Sequence, residues 1–217
     1  MKTVTKSAWD QSWGGANCGW PALVLIMGVD FVQDEGRNVA ADETHLVRSG
    51  REFIHGRPTM NSLMENTYPV FRMYLDLRKQ LMEILEDNDL ALHPAGANAP
   101  LGDLCLELGE VEMGYIDSFR TFKLDLASVA STREGTDSVA ELQKWFIDLD
   151  EELEAAVSGL TEEDLANQQV DRGGWSVSPA MQLEIYKEAL LIFCGKVSVY
   201  LKAMGKELPE QWQDWIG

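Results

Sequence analysis

Positive charge is scarce in this sequence. Its 217 residues hold 18 Lys and Arg against 36 Asp and Glu, a formal net charge of -18. A nucleic-acid partner needs a basic face to displace counterions from phosphates, so that class is excluded. Electrostatic docking on an anionic membrane is excluded on the same ground. Long apolar runs are missing too. The longest, Trp20 to Met27, falls far short of the roughly 20 residues that span a bilayer. The start of the chain offers Lys2 and Lys6, then Trp9, Asp10, Gln11 and Trp13 in place of an apolar core, which argues against a secretory signal. Cysteine is limited to Cys18, Cys105 and Cys194, an odd number with no local pairing motif. That usage predicts a reduced, cytoplasmic chain with small packed thiols. The histidines are His45, His55 and His93, none in a His-x-x-x-His or His-Glu-x-x-His arrangement, so no familiar zinc site is written locally.

What is present is an ordinary globular composition, 45% apolar and 25% charged, at a length that suits one domain with an appendage. The charge divides the chain. Residues 1–59 hold six basic and seven acidic residues, while residues 60–217 hold twelve and twenty-nine. The first segment is broken by Gly14-Gly15, Gly19, Gly28, Gly36, Gly50 and Gly56 and shows no sustained periodicity. It reads as a poorly ordered or loosely packed extension, with translation starting near Met60 as one explanation.

Residues 60–217 carry four apolar stripes at helical spacing. The first is Val70, Tyr74, Leu77, Leu81 and Ile84, with Pro69 suited to a first helical turn. The second is Leu101, Leu104, Leu108, Val111, Tyr115 and Phe122, with Gly109 and Gly114 allowing a neighbour to approach closely. The third is Val139, Leu142, Phe146, Leu149, Leu153, Ala156 and Leu160, backed by an acidic outer face of Asp148, Asp150, Glu151, Glu152 and Glu154. Thr161 to Asp164 caps a short helix, and Ser178-Pro179 opens the fourth long one. That stripe is Tyr186, Leu190, Phe193, Val197, Tyr200 and Met204. Gly205 then stops the helix, and Pro209 prevents its resumption. No strand-like alternation separates these elements. The expectation is an all-α four-helix bundle with an irregular N-terminal extension.

Several phrases carry a family likeness. Gly195 to Pro209, Leu101 to Glu112, and Glu141 to Leu165 together resemble the DinB-like (also YfiT-like) superfamily of bacterial four-helix bundles over about residues 60–217. The resemblance implies a divalent metal such as Zn or Ni held by three histidines, one from the second helix and two from the fourth. It also implies transferase or isomerase chemistry that uses low-molecular-weight thiols. Carried over by position, the ligand sites are Glu107, Ala189 and Phe193. Alanine and phenylalanine have no electron pair to donate, whereas a catalytic metal needs about three protein ligands. The metal-free reading follows: cofactor none, metal none.

Glu184 and Glu188 share one helical face but lie about 180° and about 140° from Phe193 at roughly 100° per residue, so both should face solvent. Glu107 flanks the stripe residue Leu108, and partial burial there would raise its pKa and leave it as an acid or base. Tyr186, Leu190 and Tyr200 are candidate pocket residues, though such a stripe more often builds core. Cys194 reads as a packed thiol, and Lys187 and Lys196 as surface charges. Three functions remain in play. One is a metal-free module binding a small apolar or thiol ligand, or a partner. Another is a divergent thiol-dependent transferase or hydrolase with Glu107 as acid/base. The third is a homodimer built through Met73, Leu85, Trp145, Ile185, Ile192 and Leu201.

Overall fold

The computed structural model describes residues 60–129 and 138–217. The readings made above for residues 1–59 lie outside the described residues. Over the rest, the chain is all-α apart from one two-residue hairpin. A short helix α1 (Ser62–Asn66) leads into α2 (Tyr68–Ile84), a 3-10 turn (Asp87–Ala91), α3 (Leu101–Thr121), α4 (Val139–Ser158) and α5 (Glu162–Asn167). The strands β1 (Val170–Asp171) and β2 (Ser176–Val177) precede α6 (Pro179–Ala203) and α7 (Glu210–Trp215). The four long helices form the bundle, with contacts running from α2 to α6, α6 to α3, α3 to α4 and α4 back to α2.

The helix starts follow from the local sequence. The Ser138 side chain caps α4 by accepting from the Glu141 N–H, and that of Ser178 caps α6 by accepting from the Met181 N–H. Thr161 and Asp164 form a reciprocal capping box on α5. Pro69 sits in the first turn of α2, as its missing N–H predicts. Pro209 does the opposite of what its position suggested. It flanks the start of a new helix, α7, because a proline is tolerated where the N–H would have no helical partner anyway. That last helix is fastened by Trp212, whose fully buried indole N–H donates to the Leu77 carbonyl at 3.0 Å.

The core confirms three stripes and rotates one. Val139, Leu142, Phe146, Leu149, Leu153, Ala156 and Leu160 are all buried, as are the second and fourth stripes except for partly exposed Phe122 and Met204. On α2, however, Val70 is exposed, and the inward row is Phe71, Leu75, Arg78, Met82 and Leu85, flanked by Leu77 and Leu81. An arginine interrupts that row, which is why apolar periodicity alone placed it wrongly. Asp150 is a second correction: it turns inward from the acidic outer face of α4 to reach Arg78. Leu85 and Leu201 are buried within the protomer and are unavailable to a docking patch.

Close approach at the two α3 glycines is real. A Cβ at Gly109 would run into the Trp145 ring, and one at Gly114 would lie 2.6 Å from Leu126 Cδ2. At its C-terminus α3 ends on Phe122, whose left-handed φ of 55° turns the chain toward the hairpin. There Asp171 accepts from Leu124 N–H at 2.8 Å and donates its own N–H to the Phe122 carbonyl at 2.9 Å.

Candidate functional site

The three ligand positions implied by the family likeness do not assemble a donor set. Ala189 and Phe193 are packed into the core from α6, and Leu190 beside them is equally buried. Glu107 is partly exposed on α3. Its electrostatic neighbour on α6 is Lys196, three residues beyond Phe193. Partial burial pushes the Glu107 carboxyl up to about 7, with Lys196 pulling it back and Glu110 adding to the rise. Burial lowers the pKa of Lys196, and Glu107 opposes that shift. Lys187 is not a free surface charge either: it pairs with Glu184 and is only 22% exposed. Among the described residues no three His, Cys, Asp or Glu side chains are grouped so as to hold a metal ion. The residues present therefore do not fit the metal that the likeness implies.

The candidate pocket residues separate. Tyr200 donates its hydroxyl to the Ala99 carbonyl at 2.8 Å, which ties α6 to the segment before α3. Tyr186 faces a polar cluster at the centre of the bundle that apolar periodicity does not reveal. Arg78 from α2 crosses the core to Glu112 on α3 and reaches Asp150 on α4 at 2.5 Å. It also lies 4.1 Å above the Phe146 ring and donates to the Phe146 carbonyl at 3.4 Å. Glu112 is wholly buried and Arg78 is 1% exposed. One guanidinium thus joins three of the four bundle helices.

Burial would by itself lower the pKa of Arg78, but Glu112 foremost outweighs it and keeps the guanidinium charged. Burial raises both Glu112 and Asp150 against the pull of the same arginine. Two carboxylates thus compete for one cation in a medium that favours a proton on one of them. The Tyr186 hydroxyl is close enough to the Glu112 carboxylate to interact with it. Even so, the Tyr68 and Tyr186 hydroxyls and Glu112 Oε1 complete no hydrogen bond among the described residues. Tyr186 stacks on Tyr115 at 4.6 Å between centroids and packs on Phe71 at 5.6 Å.

The polar thread continues toward the hairpin. Gln182 donates to Ser118 Oγ at 2.8 Å, and Ser118 donates to the Tyr115 carbonyl at 2.7 Å. From outside, Arg172 donates to Gln182 Oε1 at 2.5 Å and lies 4.9 Å over the Trp175 ring. Chemically this interior is a clamp: one buried guanidinium holds a wholly buried carboxylate and a second, partly exposed one. The thiols nearby are shut off from solvent, and burial pushes Cys105 and Cys194 up to about 12. A signal for the cluster was present in the spacing. Arg78 continues the row Phe71, Leu75, Met82 and Leu85, and Glu112 the row Cys105, Leu108, Tyr115 and Phe119, so both occupy core registers of their helices.

Comparison with known proteins agrees on the architecture. No family model matches the chain, and no curated protein sequence matches it. A solved structure that it resembles is that of the DinB-like protein YjoA from Bacillus subtilis, with a TM-score of 0.53 and 20% identity. The match covers 64% of this chain and 92% of that one. The chain therefore has the DinB-like fold, as the sequence phrases implied. Among the described residues no helix is long and apolar enough to cross a membrane.

Proposed function

We propose that the bundle is a binding module on a DinB-like fold, taking up a small molecule or a partner without metal-dependent transferase chemistry. The observation that supports this is the content of the ligand positions. Two of the three are Ala189 and Phe193, both serving as core, and the third is a lone carboxylate. The bundle centre gives a second reason. Its carboxylates, Glu112 and Asp150, are already engaged by Arg78. A thermal melt of the full chain with Zn, Ni or chelator tests the reading. A protein that needs no metal melts at the same temperature in all three. A large upward shift with one stoichiometric metal would overturn the proposal, since a ligand that binds only the native state stabilises it.

One observation favours a second reading, a divergent thiol-dependent transferase or hydrolase. Glu107 is the accessible carboxyl whose pKa lies near neutrality, where a general acid or base works best. On that reading Glu107→Gln abolishes whatever activity a thiol-transfer screen finds. Unchanged turnover in the variant removes Glu107 from the chemistry.

A further inference from the structure

Away from the bundle centre, α2 and α7 border an open cavity of about 490 Å³. That volume falls in the roughly 300–1,000 Å³ range of small-molecule sites. The apolar part of its lining is supplied by Pro209 with Met73 and Trp215, the last two 44% and 39% exposed. Trp215 is itself braced, with its ring 5.0 Å from that of Tyr74. The cavity walls are preformed: Trp212 anchors α7 to the Leu77 carbonyl, and Gln80 donates to Gln211 Oε1 at 2.7 Å.

The polar part of the lining has one sign. Asp76, Glu210 and Asp214 all line the cavity, and none of the three makes a salt bridge among the described residues. Gln80 adds a buried Oε1 that receives no donor among the described residues. Lys187, 5.6 Å from the Tyr74 ring that braces the wall, is already engaged by Glu184. The amide donors of the lining are already spent, Gln80 on Gln211 and Gln211 on the Met73 carbonyl, so the site joins carboxylates outside any salt bridge to a braced indole and a thioether. Such a combination selects for positive charge attached to an apolar body.

We infer that this cavity binds a small organic cation, an ammonium or guanidinium on an apolar or aromatic frame. The inference rests on the binding-module reading and gives that module its ligand class. The two fail separately, because metal-dependent stabilisation bears on the module and not on the cavity.

The test follows the Trp215 indole N–H by NMR in the full chain while 2-phenylethylamine is titrated in, with 2-phenylethanol as the neutral isostere. The expected result is a saturable shift with the amine and little with the alcohol. Asp76→Asn/Asp214→Asn should weaken the amine about tenfold, two partly screened charges being lost. Asp148→Asn/Glu151→Gln, on exposed α4, should leave it unchanged. Equal response to the alcohol, or equal loss in the α4 variant, would overturn the proposal. So would binding confined to an arginine-rich peptide, which would make the surface a peptide-docking site. These are all surface carboxylates, so each variant is expected to fold.

Discussion

Replacing Arg78 with methionine probes the interior clamp most sharply. The substitution keeps most of the side chain's volume and removes the one cation that, among the described residues, pairs with both Glu112 and Asp150. Asp150 is 34% exposed and can turn to water, but the Glu112 side chain is wholly buried and cannot. Breaking a buried pair by deleting one partner costs about 3–5 kcal/mol, because a charge is left without compensation. Glu112 is already raised by burial and can take up a proton, which places the expected loss near the lower end, about 3 kcal/mol. For a chain of this length that corresponds to a fall in Tm of about 6–12 °C.

Urea and thermal unfolding of the full chain, followed by far-UV circular dichroism, measure it. The sign of the pH effect is fixed by the same residue. A buried glutamate without its cation is tolerated when protonated, so the deficit should shrink at acid pH and grow above neutrality. Glu112→Gln should cost less than Arg78→Met. The double variant Arg78→Met/Glu112→Leu should recover most of the loss, since a buried pair exchanged for apolar residues is often neutral. A single-variant cost below about 1 kcal/mol, or simple additivity in the double variant, would refute the clamp.

Two further outcomes follow from single residues. Glu107 has a folded-state pKa raised from 4.5 to about 7. The folded chain therefore binds that proton more tightly than the unfolded chain, and stability declines as pH rises through this window. Glu107→Gln should be stabilising by about 1 kcal/mol at pH 8, after discounting for its partial exposure, and neutral at pH 4. Unfolding curves at the two pH values would show this, and an equal effect at both would contradict it. Trp212→Ala removes a fully buried indole and its bond to Leu77, at a cost of about 3–5 kcal/mol. Hydrogen exchange should then show α7 opening ahead of the bundle. Protection of α7 equal to that in the parent chain would place its anchorage elsewhere.

How much of this was legible beforehand depends on what each residue reports locally. Caps such as Ser178 and Thr161 are short-range chemistry and are readable from a few neighbours. The α4 stripe is legible because its inward residues are all apolar. The α2 stripe misleads because Arg78 occupies a core position, and the partners that make burial tolerable lie on α3 and α4, 34 and 72 residues away. No local pattern states that pairing. Asp150 is hidden for the same reason, since it looks like one more acid in an acidic run. Pro209 carries two meanings, helix stop and helix start, and only the docking of Trp212 selects the second. That the side chains of Ala189 and Phe193 cannot ligate a metal, by contrast, is plain from residue identity, because neither has a lone pair to donate.

We propose that this bundle works without a metal centre, on a packed and ion-paired core. Metal content of the full chain, purified without chelator and dialysed, tests this most directly by plasma mass spectrometry. The account predicts Zn, Ni and Fe all well below one ion per chain. One tightly held ion per chain, released by Glu107→Gln, would contradict it.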